Sequence, residues 1–213
     1  MNERPTDITD DPDREVLERV AAGDLESFGV LVQRHEQRLV SLCERMLHHP
    51  EEARDAAQEV LIKAFRKAGS YRPRGKVYTW LYRIAVNHCL NQLRRRRLAK
   101  FLPFGDLERK DPDHDRPAFD PEDPAPSAEE RLAARRRWAE TRRQIDALPS
   151  SQRAVLILAK FENLSYREIA EVLEITEGAV ESRLFRAMQR LRAAQEKPPK
   201  KPSKKNRDKV FQS

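Results

Sequence analysis

Residues 164–192 read LSYREIAEVLEITEGAVESRLFRAMQRLR, and their spacing decides the fold. Ser165 followed by Glu168 is a capping box, which opens a helix expected over 166–173. Thr176 caps a second helix expected over 177–194. In that helix Val180, Leu184, Ala187 and Leu191 recur at the three-to-four residue interval of one buried stripe. This turns Ser182, Phe185, Arg186 and Gln189 to the opposite face, with Glu181 beside them. Two short helices and a tight turn make the pattern of a helix-turn-helix. An outward phenylalanine is unfavourable unless something covers it, and a recognition helix sets such a ring against a thymine methyl group.

The helical period extends through most of the chain. Helices are expected over 14–22, ending at Gly23, and over 25–47. In the second, Phe28, Leu31, Val32, Leu39, Leu42, Cys43 and Met46 share a face. Pro50 suits the first position of a helix over 50–68, with Glu51 and Glu52 on its positive end and Gly69 as its C-cap. The loop SYRPRGK, residues 70–76, leads to a helix over 77–97. Residues 98–126 have no period and are rich in proline and acid, the composition of a linker. A second capping box, Ser127 with Glu130, opens a helix over 128–147, and another follows over 151–161. The expected fold is all-α: two small helical domains joined by a flexible acidic Pro-rich linker, the C-terminal one carrying the helix-turn-helix. The expected boundaries are a disordered N-terminus at 1–12, a domain at 13–97, the linker at 98–126, a domain at 127–195 and a disordered basic tail at 196–213.

Composition narrows the class of function. Of the 213 residues, 38% are apolar and 36% charged, and only 6 are glycine. So few glycines argue against a Gly-rich phosphate loop and against folds of strands and tight turns. No apolar run approaches the roughly 20 residues that span a bilayer. The polar, acidic start has no secretory character, so a cytoplasmic location is expected. Cys43 and Cys89 read as buried thiols of a reducing compartment. His48 and His49 lack partners at metal-ligand spacing, and no catalytic signature is present. The expectation is therefore no metal, no cofactor and no catalytic residue: not an enzyme.

The net charge of +7 is unevenly spread. Residues 1–59 carry 15 acids against 7 bases, whereas residues 60–105 carry 12 bases and no acid. Residues 106–126 return to net −5, and residues 197–213 are net +6. An acid-free stretch of 46 residues in so acidic a chain is either a solvated basic face or the site of a polyanionic partner.

On a helical wheel the segment 77–97 has two faces. Val77, Leu81, Ile84, Ala85 and His88 are expected in the core. Trp80, Arg83, Asn87, Asn91 and Arg94 form a second stripe. Arginines bind phosphates, amides reach base edges and an aromatic ring stacks an unpaired base. Trp80 also reads as an ordinary core residue. In the segment 50–68, Ala53, Ala56, Ala57, Val60, Ala64 and Phe65 are expected to face inward. Asp55, Gln58, Glu59, Ile62 and Arg66 lie on the far side, where an isoleucine among charges marks either a protein interface or a single exposed apolar residue.

Three stretches together resemble one family: EEARDAAQEVLIKAF, TWLYRIAVNHCLNQLRRRR and ALPSSQRAVLILAKFENLSYREIAEVLEITEGAVESRLFRA. They are similar to extracytoplasmic-function (ECF) sigma factors, two-domain members of the sigma-seventy family of bacterial RNA polymerase sigma factors, over about residues 24–194. The resemblance implies that Asp55, Gln58, Glu59 and Ile62 dock on the β′ subunit of RNA polymerase core. It implies that Trp80, Arg83, Asn87 and Asn91, with the loop 70–76, melt and read the −10 promoter element. Arg94 extends that −10 stripe on the wheel. The second domain is then similar to the one that binds the −35 element and the β flap, through the stripe of Glu181, Ser182, Phe185, Arg186 and Gln189. The implied partners are RNA polymerase core through β′ and β, promoter DNA and an anti-sigma factor, with no membrane insertion. Glu181 departs from the basic residue many relatives carry there, and the Lys-rich tail lies outside the family pattern.

Overall fold

The computed structural model describes residues 11–72, 75–101 and 128–196. Eight α-helices run in order: α1 Pro12–Ala21, α2 Leu25–Leu47, α3 Pro50–Lys67, α4 Val77–Phe101, α5 Ala128–Asp146, α6 Ser150–Lys160, α7 Tyr166–Leu173 and α8 Glu177–Glu196. A 3-10 turn, Ala68–Ser70, ends α3, so Ala68 rather than Gly69 is its cap. No strand occurs among the described residues. The capping box of Ser165 and Glu168 is formed, and the Thr176 hydroxyl accepts from Ala179 N at 3.2 Å. Ser127 lies outside the described residues, as does most of the segment expected to be a linker.

The N-terminus departs from expectation. Structure begins by Asp11, inside the stretch expected to be disordered. One oxygen of Asp11 accepts from Asp13 N and the other from Val77 N, at 2.6 Å, so a single carboxylate caps both α1 and α4. Asp13 is buried against His35 Nε2 at 2.7 Å and ties α1 to α2. Gly23, at φ +99, makes the turn into α2, where Asp24 caps Glu26 and Ser27. At the far end of α2, His48 takes the left-handed conformation at φ 58. α4 runs four residues beyond its expected end, to Phe101.

The first unit, α1–α4, closes over Leu17, Leu39, Leu42, Met46, Val60, Val77 and Leu81, all fully buried. Cys43 and Cys89 are buried here too, and they meet. Contact with Cys43 and burial together push the Cys89 thiol far up, so it behaves as an inert apolar group. The core face of α4 is Val77, Leu81, Tyr82, Ala85, Val86 and Cys89. This corrects the wheel: His88 turns toward a groove, and Ile84 packs on the core only from that groove's edge. The buried arc is wider and rotated because α4 is covered on two sides, by α2 and α3 on one and by α6 and α7 on the other.

The second unit, α5–α8, also differs from a tethered domain. Seven consecutive residues of α6, Gln152 to Leu158, are buried, whereas a surface helix buries one stripe. One side of α6 packs on α7 and α8 and the other on α2 and α4 of the first unit. Arg153, only 8% exposed, donates to the carbonyl of Met46 at 3.2 Å and pairs with Asp146. Trp138 of α5 meets Phe161 edge-on, and Arg45 lies over the Phe161 ring. The two units therefore form a shared interface around an apolar helix rather than standing apart.

Candidate nucleic-acid interface

α3 and α4 pack side by side and leave a groove of about 840 Å³ between them. Trp80, Arg83, Asn87 and Asn91 line it from α4, and Asp55 and Glu59 from α3. Members of two candidate sets thus face one concavity, whereas Gln58, Ile62 and Arg94 do not line it. Asn87 and Asn91 are exposed. Arg94, Arg95 and Arg97 are exposed at the end of α4, while Arg96 pairs with Glu52. Lys63 crosses the groove floor to His88 Nδ1 at 2.6 Å and to Glu59 at 3.2 Å. Burial and the Lys63 charge hold the His88 ring below the usual histidine range, so it accepts from the ammonium as a neutral ring.

Trp80 serves both readings. It packs against the core and yet lines the groove. Tyr71 meets it edge-on, with ring centroids 5.5 Å apart. The Tyr71 hydroxyl donates to the carbonyl of Gly75 at 2.7 Å, pinning the loop ahead of α4. Thr79 donates to the carbonyl of Lys76, at the base of that loop. Within the loop, Pro73 and Arg74 lie outside the described residues. An aromatic floor, two open amides and arginines at both ends form a surface suited to unpaired bases and their phosphates.

On α3 the alanines and Val60 face inward as the wheel predicts, and Asp55, Gln58, Glu59 and Ile62 are exposed. Ile62 is 50% exposed. Phe65 corrects the wheel: it is 36% exposed and stacks edge-on with Phe28 at 5.0 Å. A large ring fits at the margin of a helix pair whose seam is filled by alanine. Ile62 and Phe65 are thus exposed apolar residues on the helix that carries the acids, with half-buried Phe28 against the Phe65 ring.

On α8, Val180, Leu184 and Ala187 are buried. Glu181, Ser182, Phe185, Arg186 and Gln189 are all exposed, Phe185 at 60%.

The α4 surface is contacted by the second unit. Arg83 pairs with Glu174 at 3.3 Å. The Tyr78 hydroxyl donates to Glu168, and the Tyr82 hydroxyl to Glu162 at 2.8 Å. Arg45 reaches the other oxygen of Glu162 at 2.9 Å. Burial first, and then these carboxylates, push both tyrosine hydroxyls up, so they remain donors. At the other end of the interface Arg142 donates from Nε to His48 Nδ1 at 2.9 Å and from its fork to the His48 carbonyl. Of these residues only Arg83 stood out in the sequence as a site candidate, and nothing there paired it with Glu174. Two signals were present: Tyr78 and Tyr82 are one turn apart, and the carboxylates crowd into 162–174 while 60–105 has none.

Comparison with known proteins agrees with the geometry. The profile for Sigma-70 region 2 matches residues 31–99, and that for Sigma-70, region 4 matches residues 138–191. The RNA polymerase sigma-H factor of Pseudomonas aeruginosa is 38% identical over 184 residues, covering 84% of this chain and 92% of that one. The ECF RNA polymerase sigma factor SigM of Mycobacterium tuberculosis is 36% identical over 179 residues, covering 84% and 82%. Among solved structures, CnrH in complex with the cytosolic domain of CnrY superposes with a TM-score of 0.60 at 24% identity, over 86% of this chain and 96% of that one. The sigma factor RpoE of Bartonella quintana, in complex with the anti-sigma factor NepR, gives 0.59 at 21% identity, over 80% and 98%. At those identities the two structures speak to the fold alone.

Proposed function

The chain belongs to the ECF sigma factors of the sigma-70 family, and from that premise we propose how its surfaces divide the work of starting transcription. It is a sigma factor: it binds RNA polymerase core and directs promoter-specific initiation. Residues 13–97 act as the core-binding and −10 domain, and residues 127–195 as the −35 domain. Residues 98–126 act as the linker, flanked by an N-terminal segment 1–12 and a basic tail 196–213. Sigma factors are not enzymes, and we assign no catalytic residue to this chain. No helix among the described residues is long and apolar enough to cross a membrane, and the proposed site of action is the cytoplasm.

The observation that carries the assignment of sites is that each unit presents one helix with a polar stripe that includes an aromatic ring. On α8 the stripe is Glu181, Ser182, Phe185, Arg186 and Gln189, free to enter the major groove of the −35 element. Arg186 reaches phosphate or guanine, and Phe185 touches a thymine methyl. On α4 the Trp80 ring offers a platform for an unstacked base, Asn87 and Asn91 read its edge, and Arg83 and Arg94 hold the backbone. Strand separation follows because these contacts exist only with the opened strand.

Asp55, Gln58, Glu59 and Ile62 dock on the β′ subunit. An exposed isoleucine ringed by polar side chains has the make-up of an interface centre with its rim. An anti-sigma factor is a further partner, by analogy with relatives solved in such complexes. The docking assignment is tested by co-purification with core polymerase. The double variant Asp55→Ala/Gln58→Ala, with unchanged helical content, is expected to lose core binding at least about tenfold, the effect of about 1.4 kcal/mol. Retention equal to wild type would remove α3 from the interface.

A further inference from the structure

The apolar spacing puts His88 in the core, and the structure turns it into the groove between α3 and α4. It follows Asn87 and lies one turn before Asn91, so it stands between two amides of the proposed strand-reading stripe. Only 15% of the side chain is exposed, but the ring lines the concavity. From α3, Lys63 donates to its Nδ1 at 2.6 Å and to Glu59 at 3.2 Å. An ammonium donates and cannot accept, so Nδ1 presents its lone pair and the one proton of the neutral ring is on Nε2. Among the described residues nothing accepts from that N–H. Arg83 Nε and Gln92 Oε1, on two other groove-lining residues, are buried and also lack a partner among the described residues. The groove therefore holds donor and acceptor capacity that the chain does not itself use.

We propose that His88 is a specificity-determining residue of this groove: its Nε2–H donates to a ring-nitrogen or carbonyl acceptor of an unpaired base, and Lys63 is the positioning residue that holds the ring in that tautomer. The proposal rests on the assignment of α4 to the −10 strand and adds a reader that the stripe does not contain. The charges explain why a base and not a phosphate is the ligand. Lys63 is spent between Glu59 and the ring, and the neutral ring adds no charge, so this part of the floor offers a hydrogen bond and no net attraction for an anion. Phosphates go instead to the arginines of α4. A base that turns a donor toward Nε2–H leaves two N–H groups unpaired in a half-buried site, which is what makes the contact selective. Along α4 His88 lies two turns beyond Trp80, about 12 Å at 1.5 Å per residue, so the base it reads is not the one stacked on the indole.

The test uses the full chain in excess over core RNA polymerase and a library of forked DNA, randomised in both the paired arm and the unpaired strand. Bound forks are sequenced. His88→Leu is expected to lose about fivefold of base discrimination at one unpaired position, the effect of one neutral hydrogen bond, and to leave the other positions as in wild type. His88→Gln keeps a donor in a polar side chain and is expected to retain a weaker preference at that same position. Lys63→Met removes both the donor that fixes the tautomer and the cation that opposes protonation. Of the other charges facing the ring, Glu59 on α3 favours the proton and Arg95 on α4 opposes it. Without Lys63 the ring takes up its proton at higher pH, so fork binding by Lys63→Met should rise more steeply from pH 8 to pH 6 than in wild type. That extra rise should vanish in Lys63→Met/His88→Leu; its persistence would remove Lys63 as the positioning residue. A wild-type preference that survives His88→Leu at every position would overturn His88 as a reader, and a uniform loss at all positions would make the ring a structural brace and overturn it equally. A wild-type chain with no preference on the unpaired strand would show something different: the −10 assignment itself fails, and this proposal with it.

Discussion

Acidification is expected to loosen the joint between the two units through His48. This ring sits at the end of α2 in the interface with α5 and α6. Its Nδ1 accepts from Arg142 Nε at 2.9 Å, and its Nε2 faces Asp146 Oδ1 at 3.1 Å. Arg153 and His49 add positive charge nearby. Burial, and then the charges of Arg153 and Arg142, depress the ring to a pKa of about 3 from its usual 6.5. The sign follows from linkage. Above pH 6.5 the ring is neutral both folded and unfolded, and the full stability is present. Below it the unfolded chain takes up a proton that the folded chain refuses, and stability is lost progressively from pH 6.5 toward 3. At pH 5 the loss from this one ring is about 2 kcal/mol. Protonation also sets an N–H at Nδ1 against the Arg142 N–H, so the hydrogen bond cannot survive it. The assay is urea unfolding at pH 7.5 and pH 5.0 for wild type and His48→Asn. Asparagine tolerates the left-handed backbone at this position and does not titrate. Trp138 reports the second unit and Trp80 the first. Wild type is expected to lose about 2 kcal/mol more than the variant on acidification. His88, also held below its usual range, contributes equally to both proteins and cancels. Equal losses would refute the account of His48 as a neutral acceptor at the joint.

Three further outcomes are expected. Trp80→Ala should reduce opening of a duplex promoter far more than binding to a pre-melted bubble, read by permanganate reactivity of the −10 region; matching footprints would remove Trp80 from strand opening. Glu181→Arg should steepen the salt dependence of duplex binding by about 0.9 in the logarithmic slope for one added phosphate contact, and shift the preferred base at one −35 position in promoter selection; an unchanged selected motif would make Glu181 a solvated residue only. Ser165→Ala should cost about 1 kcal/mol in urea unfolding followed at Trp138, because the Ser165 hydroxyl no longer accepts from Glu168 N or donates to the Glu168 carboxylate; an unchanged midpoint would show that α7 is held by packing instead.

Helix positions were legible because caps, prolines and a single apolar stripe agree along α2, α3, α7 and α8. Both ends of α2 and both ends of α7 fall where the spacing puts them. The outward stripes of α3 and α8 were legible for the same reason, since each helix buries only one side. α4 was misread in part because helices cover it on two sides, and a wheel drawn for one buried face puts His88 inside and leaves Tyr82 and Val86 out. The joint between the units was hidden for a different reason. Its polar contacts join residues as far apart as Arg45 and Glu162, and no local pattern pairs a tyrosine with a distant carboxylate. Besides the paired tyrosines and the crowded carboxylates, the unbroken apolar run 154–159 in α6 was a local sign of it. Asp11 as a shared cap was equally hidden, because the N–H it satisfies at Val77 belongs to a helix 66 residues away.

Run-off transcription tests the central claim most directly: core RNA polymerase without any other sigma factor, a promoter library and the full chain. The account predicts discrete transcripts from a subset of promoters sharing −10 and −35 elements, appearing only when the chain is added. Binding to core without any promoter-dependent transcript would contradict it.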